Sequence, residues 1–76
     1  MRADREDMIR DALAALPEGE FHLPDALGAA WDTLWIGEKV GLGNDFLKAV
    51  RAGRFAGIED TGRKDHGLHL YVKRST

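Results

Sequence analysis

The second half of the chain holds the pattern that most constrains the fold: a short apolar-periodic helix, a glycine, and two alternating strands joined by a polar segment. Asn44 suits the N-cap of a helix over residues 44–52, in which Phe46 and Val50 share the buried side. Gly53 is placed to end that helix in a left-handed conformation. A helix that leads directly into a hairpin predicts a domain of mixed α+β class.

Two strands are predicted, over residues 55–60 and 68–73. The second strand alternates clearly, and one of its two faces belongs to the core. The two sets of side chains are Leu68, Leu70 and Val72 on one side and His69, Tyr71 and Lys73 on the other. The connection over residues 61–67 is polar and contains two glycines. Because it is too long for a two-residue hairpin turn, it is predicted to be a mobile loop.

The first half of the chain adds a helix, a short strand and a smaller helix. Apolar residues at i, i+3, i+4 and i+7 predict an amphipathic helix that Pro17 ends. They are Ile9, Ala12, Leu13 and Leu16. Residues 20–23 alternate like a short strand. Pro24 then suits the first turn of a helix that ends near Gly28.

A further helix is predicted in the middle of the chain. Trp31 and Trp35 share one helical face by spacing, so this helix begins at Trp31 or Thr33 and ends at Val40. The sequence Gly-Leu-Gly at residues 41–43 is predicted to break it, because glycine disfavours a helix interior. The chain would then contain two short helices before the hairpin.

The composition of the chain limits the classes of protein to which it can belong. With 76 residues, 43% of them hydrophobic, the chain is long enough for one domain over residues 1–76 and too short for two. It has no cysteine, which excludes disulfides and thiolate metal sites and favours a cytoplasmic protein. The N-terminus is charged throughout and lacks the apolar segment of a signal peptide or a membrane span, so no membrane association is expected.

Charge is distributed unevenly along the chain. The net charge of -2 argues against a protein that coats nucleic acid indiscriminately. Residues 1–37 carry three basic and eight acidic side chains, whereas residues 38–76 carry eight basic and five acidic ones. The half that contains the helix 44–52 and the hairpin is therefore the positive half.

Three spaced patterns occur in the middle of the chain. They are Phe21-x-Leu23-x-Asp25-x-Leu27, then Trp31-x-x-Leu34, then Gly37-Glu38-Lys39-x-Gly41-Leu42-Gly43-x-x-Phe46-x-x-x-Val50. Together they resemble a family of small uncharacterised bacterial proteins, found in chromosomes and mobile elements, that forms a domain of unknown function. The resemblance covers roughly Glu20 to Tyr71 and leaves the acidic N-terminal helix outside. It implies a winged-helix-like fold and no particular activity.

The order of elements favours a small winged helix-turn-helix-like domain with three or four helices, a C-terminal β-hairpin and a short third strand. In such a domain the helix 44–52 enters the major groove of double-stranded DNA, and the basic hairpin tip 61–67 reaches phosphates or the minor groove. The predicted nucleic-acid-binding residues are Asn44, Lys48, Arg51, Arg54, Arg63, Lys64 and His66. Arg and Asn suit base edges, and Lys suits phosphate.

The preferred function from the sequence is therefore DNA binding in transcription regulation. A homodimer is expected, because one module of this size makes few contacts with DNA. The same charged residues are equally typical of an ordinary solvated helix face.

The alternative function is protein interaction. Trp31 and Trp35 either belong to the core or contact a partner, since tryptophan is frequent among binding hot spots. An exposed Trp35 would favour a dimer or a protein-binding surface. This alternative describes a module from a phage or mobile element that docks on a host protein complex, such as an anti-CRISPR-type inhibitor. The acidic N-terminal helix would be its charged face.

Catalysis, metals and cofactors are not expected. His66 and His69 have a His-x-x-His spacing, but no cysteine or well-placed carboxylate completes a metal site. Glu59 and Asp60 are adjacent on a predicted strand, so their carboxylates point to opposite faces and cannot act as a pair. No phosphate-binding glycine loop occurs. The sequence therefore predicts a protein that is not an enzyme.

Overall fold

The computed structural model describes residues 2–74, which form four helices and three strands. In chain order they are α1 (Ala3–Ala15), β1 (Gly19–Phe21), α2 (Leu23–Leu27), α3 (Ala29–Asp32), α4 (Ile36–Arg51), β2 (Ile58–Asp65) and β3 (Leu68–Lys73). The strands form one antiparallel sheet in the order β1-β3-β2. The predicted α+β class, with a C-terminal hairpin and a short third strand, is confirmed. Met1, Ser75 and Thr76, which the predicted domain 1–76 includes, lie outside the described residues.

The first two helices follow their local sequence signals. Ile9 and Leu13 are buried on one side of α1, and the helix ends before Pro17. Pro24 lies in the first turn of α2, where its missing N–H costs nothing. Leu23, which was predicted to end the first strand, instead begins α2. Because of this, β1 is only three residues long.

The main difference from the sequence-based prediction is α4, a single helix that passes through residues 41–43. The predicted helix ending at Val40, the break at 41–43 and the separate helix 44–52 are therefore wrong. A glycine in a helix costs up to about 1 kcal/mol relative to alanine. Burying a large apolar side chain contributes about 1.5–3 kcal/mol. The free energy gained by burying one face of α4 outweighs the cost of its glycines. That face consists of Leu42, Phe46, Ala49 and Val50.

The start of α4 is fixed by Glu38 rather than by Asn44. The backbone N–H of Trp35 donates a hydrogen bond of 3.1 Å to the Glu38 carboxylate. This bond is the main cause of the lowered pKa of Glu38, and a hydrogen bond from Arg5 on α1 is the second cause. Asn44, which was predicted to be an N-cap, lies in the interior of the helix.

The end of α4 agrees with the prediction for Gly53. Its φ is 77°, the left-handed conformation that glycine adopts without strain. The N–H of Arg54 donates to the carbonyl of Ala49 at 3.0 Å, and the N–H of Gly53 donates to Val50 at 3.0 Å. These two bonds satisfy carbonyls at the end of the helix in a Schellman motif. The chain is thereby turned towards β2.

A two-residue turn joins β2 to β3, so the predicted mobile loop over residues 61–67 is wrong. His66 and Gly67 have φ values of 52° and 77°, which suit a type I′ hairpin turn. The pairing register shifts between Asp60 and Lys64. A bulge in β2 takes up the extra residues there. Most of the predicted loop is consequently strand.

The core lies between the helices and the face of the sheet that carries Tyr71. Phe46 has 0% exposure, and its ring centroid lies 5.3 Å from that of Phe55 and 4.7 Å from that of Tyr71. Phe21 extends this cluster, with its ring centroid 5.8 Å from Tyr71. Of the two faces that alternation defines in β3, the Tyr71 face is therefore the core face.

Candidate functional site

A groove of about 410 Å³ lies between α4 and the end of the hairpin. Pockets of this size accommodate small ligands or a few side chains of a partner. These residues form what is named the apolar groove: Leu23, Pro24, Trp31, Ile36, Lys39, Val40, Gly43, Asn44, Leu47, Lys64, Gly67, Leu68, His69 and Tyr71.

Large apolar side chains are exposed at and beside the apolar groove. Trp35 is 80% exposed, Ile36 81%, Val40 61% and Leu68 42%. Trp31 is half-buried and packs against the core, so the two tryptophans differ in environment. Clustered apolar exposure of this kind is typical of an interaction site.

The apolar groove is positively charged. Within residues 2–74, its lining includes Lys39 and Lys64 and no Asp or Glu, and its one histidine, His69, is hydrogen-bonded to Asp60 outside the lining. Lys39 Nζ lies 5.8 Å from the ring centroid of Trp31, a cation–π contact. Because the whole chain has a net charge of -2, this lining is a local positive region on a mildly acidic protein.

Asn44 and Lys64 are brought together in the apolar groove, and the other predicted nucleic-acid-binding residues lie elsewhere. Lys48 lines a separate cleft that also contains Arg54. His66 is exposed at the hairpin turn. Of the seven residues, only Asn44 and Lys64 line the apolar groove.

The three predicted arginines are each paired with an acidic side chain. The pairs are Arg51 with Asp60 at 3.0 Å, Arg54 with Glu6 at 2.8 Å, and Arg63 with Glu20 at 2.8 Å. Glu6 lies on α1 and Glu20 on β1, far from the arginines in sequence. Local spacing gave no indication of these pairs, because they depend on the packing of distant elements.

Asp60 accepts the most hydrogen bonds among these acids. Its Oδ1 accepts from the His69 ring and from the N–H of Gly62 at 2.8 Å, and its Oδ2 accepts from Arg51 at 3.0 Å. The hydrogen bond from His69 is the largest cause of the low pKa of Asp60, about 2. Burial raises the pKa of Tyr71 to about 12, with the nearby charge of Asp60 as the second cause. This network fixes Arg51 and the middle of β2.

The low pKa of Asp60 predicts a specific dependence of stability on pH. The folded value of about 2 lies below the ordinary 3.8, so the carboxylate stabilises the fold above pH 3.8. That contribution is lost as the pH falls to about 2. Asp60→Asn is expected to lower the free energy of unfolding at neutral pH by about 1.5–3 kcal/mol, because hydrogen bonds to charged groups contribute this much. In strong acid the difference should approach zero.

Urea denaturation followed by circular dichroism across this pH range measures the effect. Glu59→Gln is the matched control, since Glu59 is an exposed acid one residue earlier and should have little effect at any pH. If Asp60→Asn lowered the free energy of unfolding as much in strong acid as at neutral pH, the low pKa of Asp60 would be contradicted.

The sequence interpretation missed the second apolar stripe of α4. Ile36, Val40, Gly43 and Leu47 recur at i, i+4, i+7 and i+11, beside the buried face. The signal was present in the sequence, but the predicted break at residues 41–43 divided it. Once α4 is continuous, the stripe forms one wall of the apolar groove.

The described residues form neither a metal-binding cluster nor a membrane-spanning helix. Within residues 2–74, no three His, Asp or Glu side chains come together in a way that could hold a metal ion. The helices of this same part of the chain are too short or too polar to cross a membrane.

The chain is a small α+β domain with an apolar groove that carries two lysines at its edges. The chain belongs to the family described as Domain of unknown function (DUF1413), whose model matches residues 7–73. That match includes most of α1, which the resemblance seen in the sequence left outside. No curated protein and no solved structure matches the chain significantly.

Proposed function

We propose that the chain is a winged-helix domain that works as a protein-interaction module, with the apolar groove as its binding surface. The element order and the β1-β3-β2 sheet support the winged-helix assignment. In it, α4 takes the position of the recognition helix and the β2–β3 hairpin is the wing. The exposure of Trp35, Ile36 and Val40 around the first turns of α4 carries the functional proposal.

The composition of those first turns suits a protein partner better than DNA. The N-terminal residues of a recognition helix contact base edges in the major groove. In α4 the exposed positions there are Ile36, Gly37, Val40 and Gly41. None has a side chain that donates or accepts a hydrogen bond, so none can read a base edge by polar contact. Exposed apolar and aromatic side chains, by contrast, are typical of the centre of a protein interface.

Double-stranded DNA is the second candidate ligand. It is favoured by Asn44 and Lys64 in one groove and by Lys48 on the exposed side of α4. An exposed ion pair contributes at most about 1 kcal/mol, so, of the three paired arginines, Arg63 is able to exchange its carboxylate for a phosphate, because both side chains of its pair with Glu20 are exposed. The acidic partners of the arginines would, however, remain close to the phosphates and repel them.

Crosslinking from the exposed turn tests the proposed function directly. The photoreactive residue p-benzoylphenylalanine is placed at Ile36, which is 81% exposed, in cells of the organism that encodes the chain. We expect one discrete adduct with a protein, identified by mass spectrometry. The same residue at Glu59, exposed on the opposite face of the sheet, is the control and should not give that adduct.

Binding of the purified partner then quantifies the role of the groove. Ile36→Ala with Val40→Ala is expected to weaken binding at least about tenfold by calorimetry, because each buried side chain contributes about 1.5–3 kcal/mol. The fold should be unaffected, since both side chains are exposed in the free chain. Two results together would contradict the proposal. The first is that no protein adduct forms, and the second is that the purified chain binds duplex DNA and loses this binding in Lys48→Ala with Arg51→Ala.

A further inference from the structure

We infer that the occupant of the apolar groove is an amphipathic helix of a protein partner, with apolar side chains on the face that enters the groove and carboxylates flanking it. The inference rests on the proposed function and specifies the chemistry of the partner. Three features support it: the shape of the α4 wall, the blocked edge of the sheet, and the charge of the lining.

The α4 wall has the length and spacing that suit a second helix. Its stripe runs from Ile36 to Leu47, about 16 Å at the rise of an α-helix, or roughly three turns. Side chains at i, i+4, i+7 and i+11 form a ridge, and helices associate by packing such ridges into each other's grooves. Gly43 lies within the ridge and has no atom within 4 Å of the place where a Cβ would stand, so it leaves a depression for a partner side chain.

The edge of β2 does not suit an added strand. A peptide that adds a strand needs free backbone N–H groups along that edge. In β2 the N–H of Gly62 donates to the side chain of Asp60 at 2.8 Å, and the N–H of Arg63 donates to the hydroxyl of Thr61 at 3.2 Å. The register shift in β2 interrupts the edge further. Strand addition at the edge of β2 is therefore disfavoured, and the α4 wall points to a helix as the occupant of the groove.

The charge of the groove lining indicates which charged groups the partner carries. Lys39 lies along α4 and Lys64 lies on the hairpin, so the two ammonium groups come from opposite walls of the apolar groove. With no Asp or Glu among the lining residues of the described chain, carboxylates of the partner supply the complementary charge.

The same charges disfavour a second copy of this chain as the occupant. A twofold dimer places the same patch of both copies together. Lys39 and Lys64 of one copy would then approach those of the other, and the lining holds no carboxylate to compensate the repulsion.

Two designed helical peptides with identical leucine stripes test the inference. One carries glutamate and the other lysine at the positions beside the stripe, and binding is followed by fluorescence anisotropy of a label on each peptide. The glutamate peptide is expected to bind more tightly by about fivefold to tenfold, a preference that disappears as salt rises. Lys64→Glu should remove the preference. Lys48→Glu is the matched control, because Lys48 is an exposed lysine of α4 outside the groove, and it should preserve the preference.

Each other outcome overturns the inference in a recognisable way. Equal binding of both peptides, weakened by Ile36→Ala with Val40→Ala, would leave the protein-binding function intact and remove the acidic partner. Failure of both peptides to bind, while the crosslinked protein partner still requires Ile36 and Val40, would likewise reject only the amphipathic helix. Displacement of the glutamate peptide by duplex DNA would assign the groove to DNA. Concentration-dependent dimerisation in sedimentation, lost in the same double variant, would assign it to a second copy.

Discussion

Replacing Phe46 with alanine is expected to lower the free energy of unfolding by about 3–5 kcal/mol, the usual cost of truncating a phenylalanine in a packed core. Phe46 has 0% exposure, and its ring contacts those of Phe55 and Tyr71. A domain of this size has a total stability of roughly 4–11 kcal/mol. The variant should therefore lose a large part of its stability, which urea denaturation followed by far-ultraviolet circular dichroism measures.

Trp35→Ala is the control for this experiment. It removes a larger side chain at the N-cap of the same helix, but Trp35 is 80% exposed. The change in the free energy of unfolding should stay within about 0.5 kcal/mol, as is usual for surface positions. If both variants lost the same stability, Trp35 would belong to the core and its availability to a partner would be refuted.

The parts of the fold that could be predicted from the sequence depend on local signals. Pro17 and Pro24 limit helices through their own backbone geometry, whatever surrounds them. Gly53 ends α4 because it adopts the left-handed conformation without strain. The i, i+4 pair Ile9 and Leu13 shares one face of any helix that contains it, so its burial followed from spacing.

The parts that could not be predicted depend on contacts between distant elements. Leu42 lies between two glycines, and only its burial in the assembled core shows why the helix continues there. The His66-Gly67 turn was hidden because the bulge after Asp60 changes the number of residues that the hairpin needs. At residues 41–43 tertiary packing opposed the local glycine signal, and at residues 66–67 the local turn signal was missed.

The candidate site likewise contains features that could be predicted from the sequence and features that could not. The exposed lysines and Asn44 were found by residue type, but the carboxylates that pair with the arginines come from α1, β1 and β2. Arg54 and Glu6, for example, are 48 residues apart. The apolar groove itself requires the relative placement of α4 and the hairpin, which no spacing rule supplies. Side-chain chemistry was therefore easier to predict from the sequence than the surface on which it is arranged.

Converting the three glycines of α4 to alanine is expected to raise the free energy of unfolding by about 1.5–3 kcal/mol. Each glycine in a helix interior costs about 0.5–1 kcal/mol relative to alanine, largely because of the freedom that glycine has in the unfolded chain. At Gly37, Gly41 and Gly43 a Cβ would have no neighbouring atom within 4 Å, so the new methyl groups cause no clash. The midpoint of thermal unfolding should rise by at least about 6 °C in a domain of this size.

Gly53→Ala is the matched control, and it should have the opposite sign. Its φ of 77° forces a side chain into the left-handed region, which costs about 1–2 kcal/mol. If the triple variant gained no stability while Gly53→Ala lost it, the helix of the free chain would be interrupted at residues 41–43, as the Gly-Leu-Gly sequence predicts. The wall of the apolar groove would then form only with a partner. A gain in stability instead requires that α4 and its second apolar stripe are already assembled in the free protein.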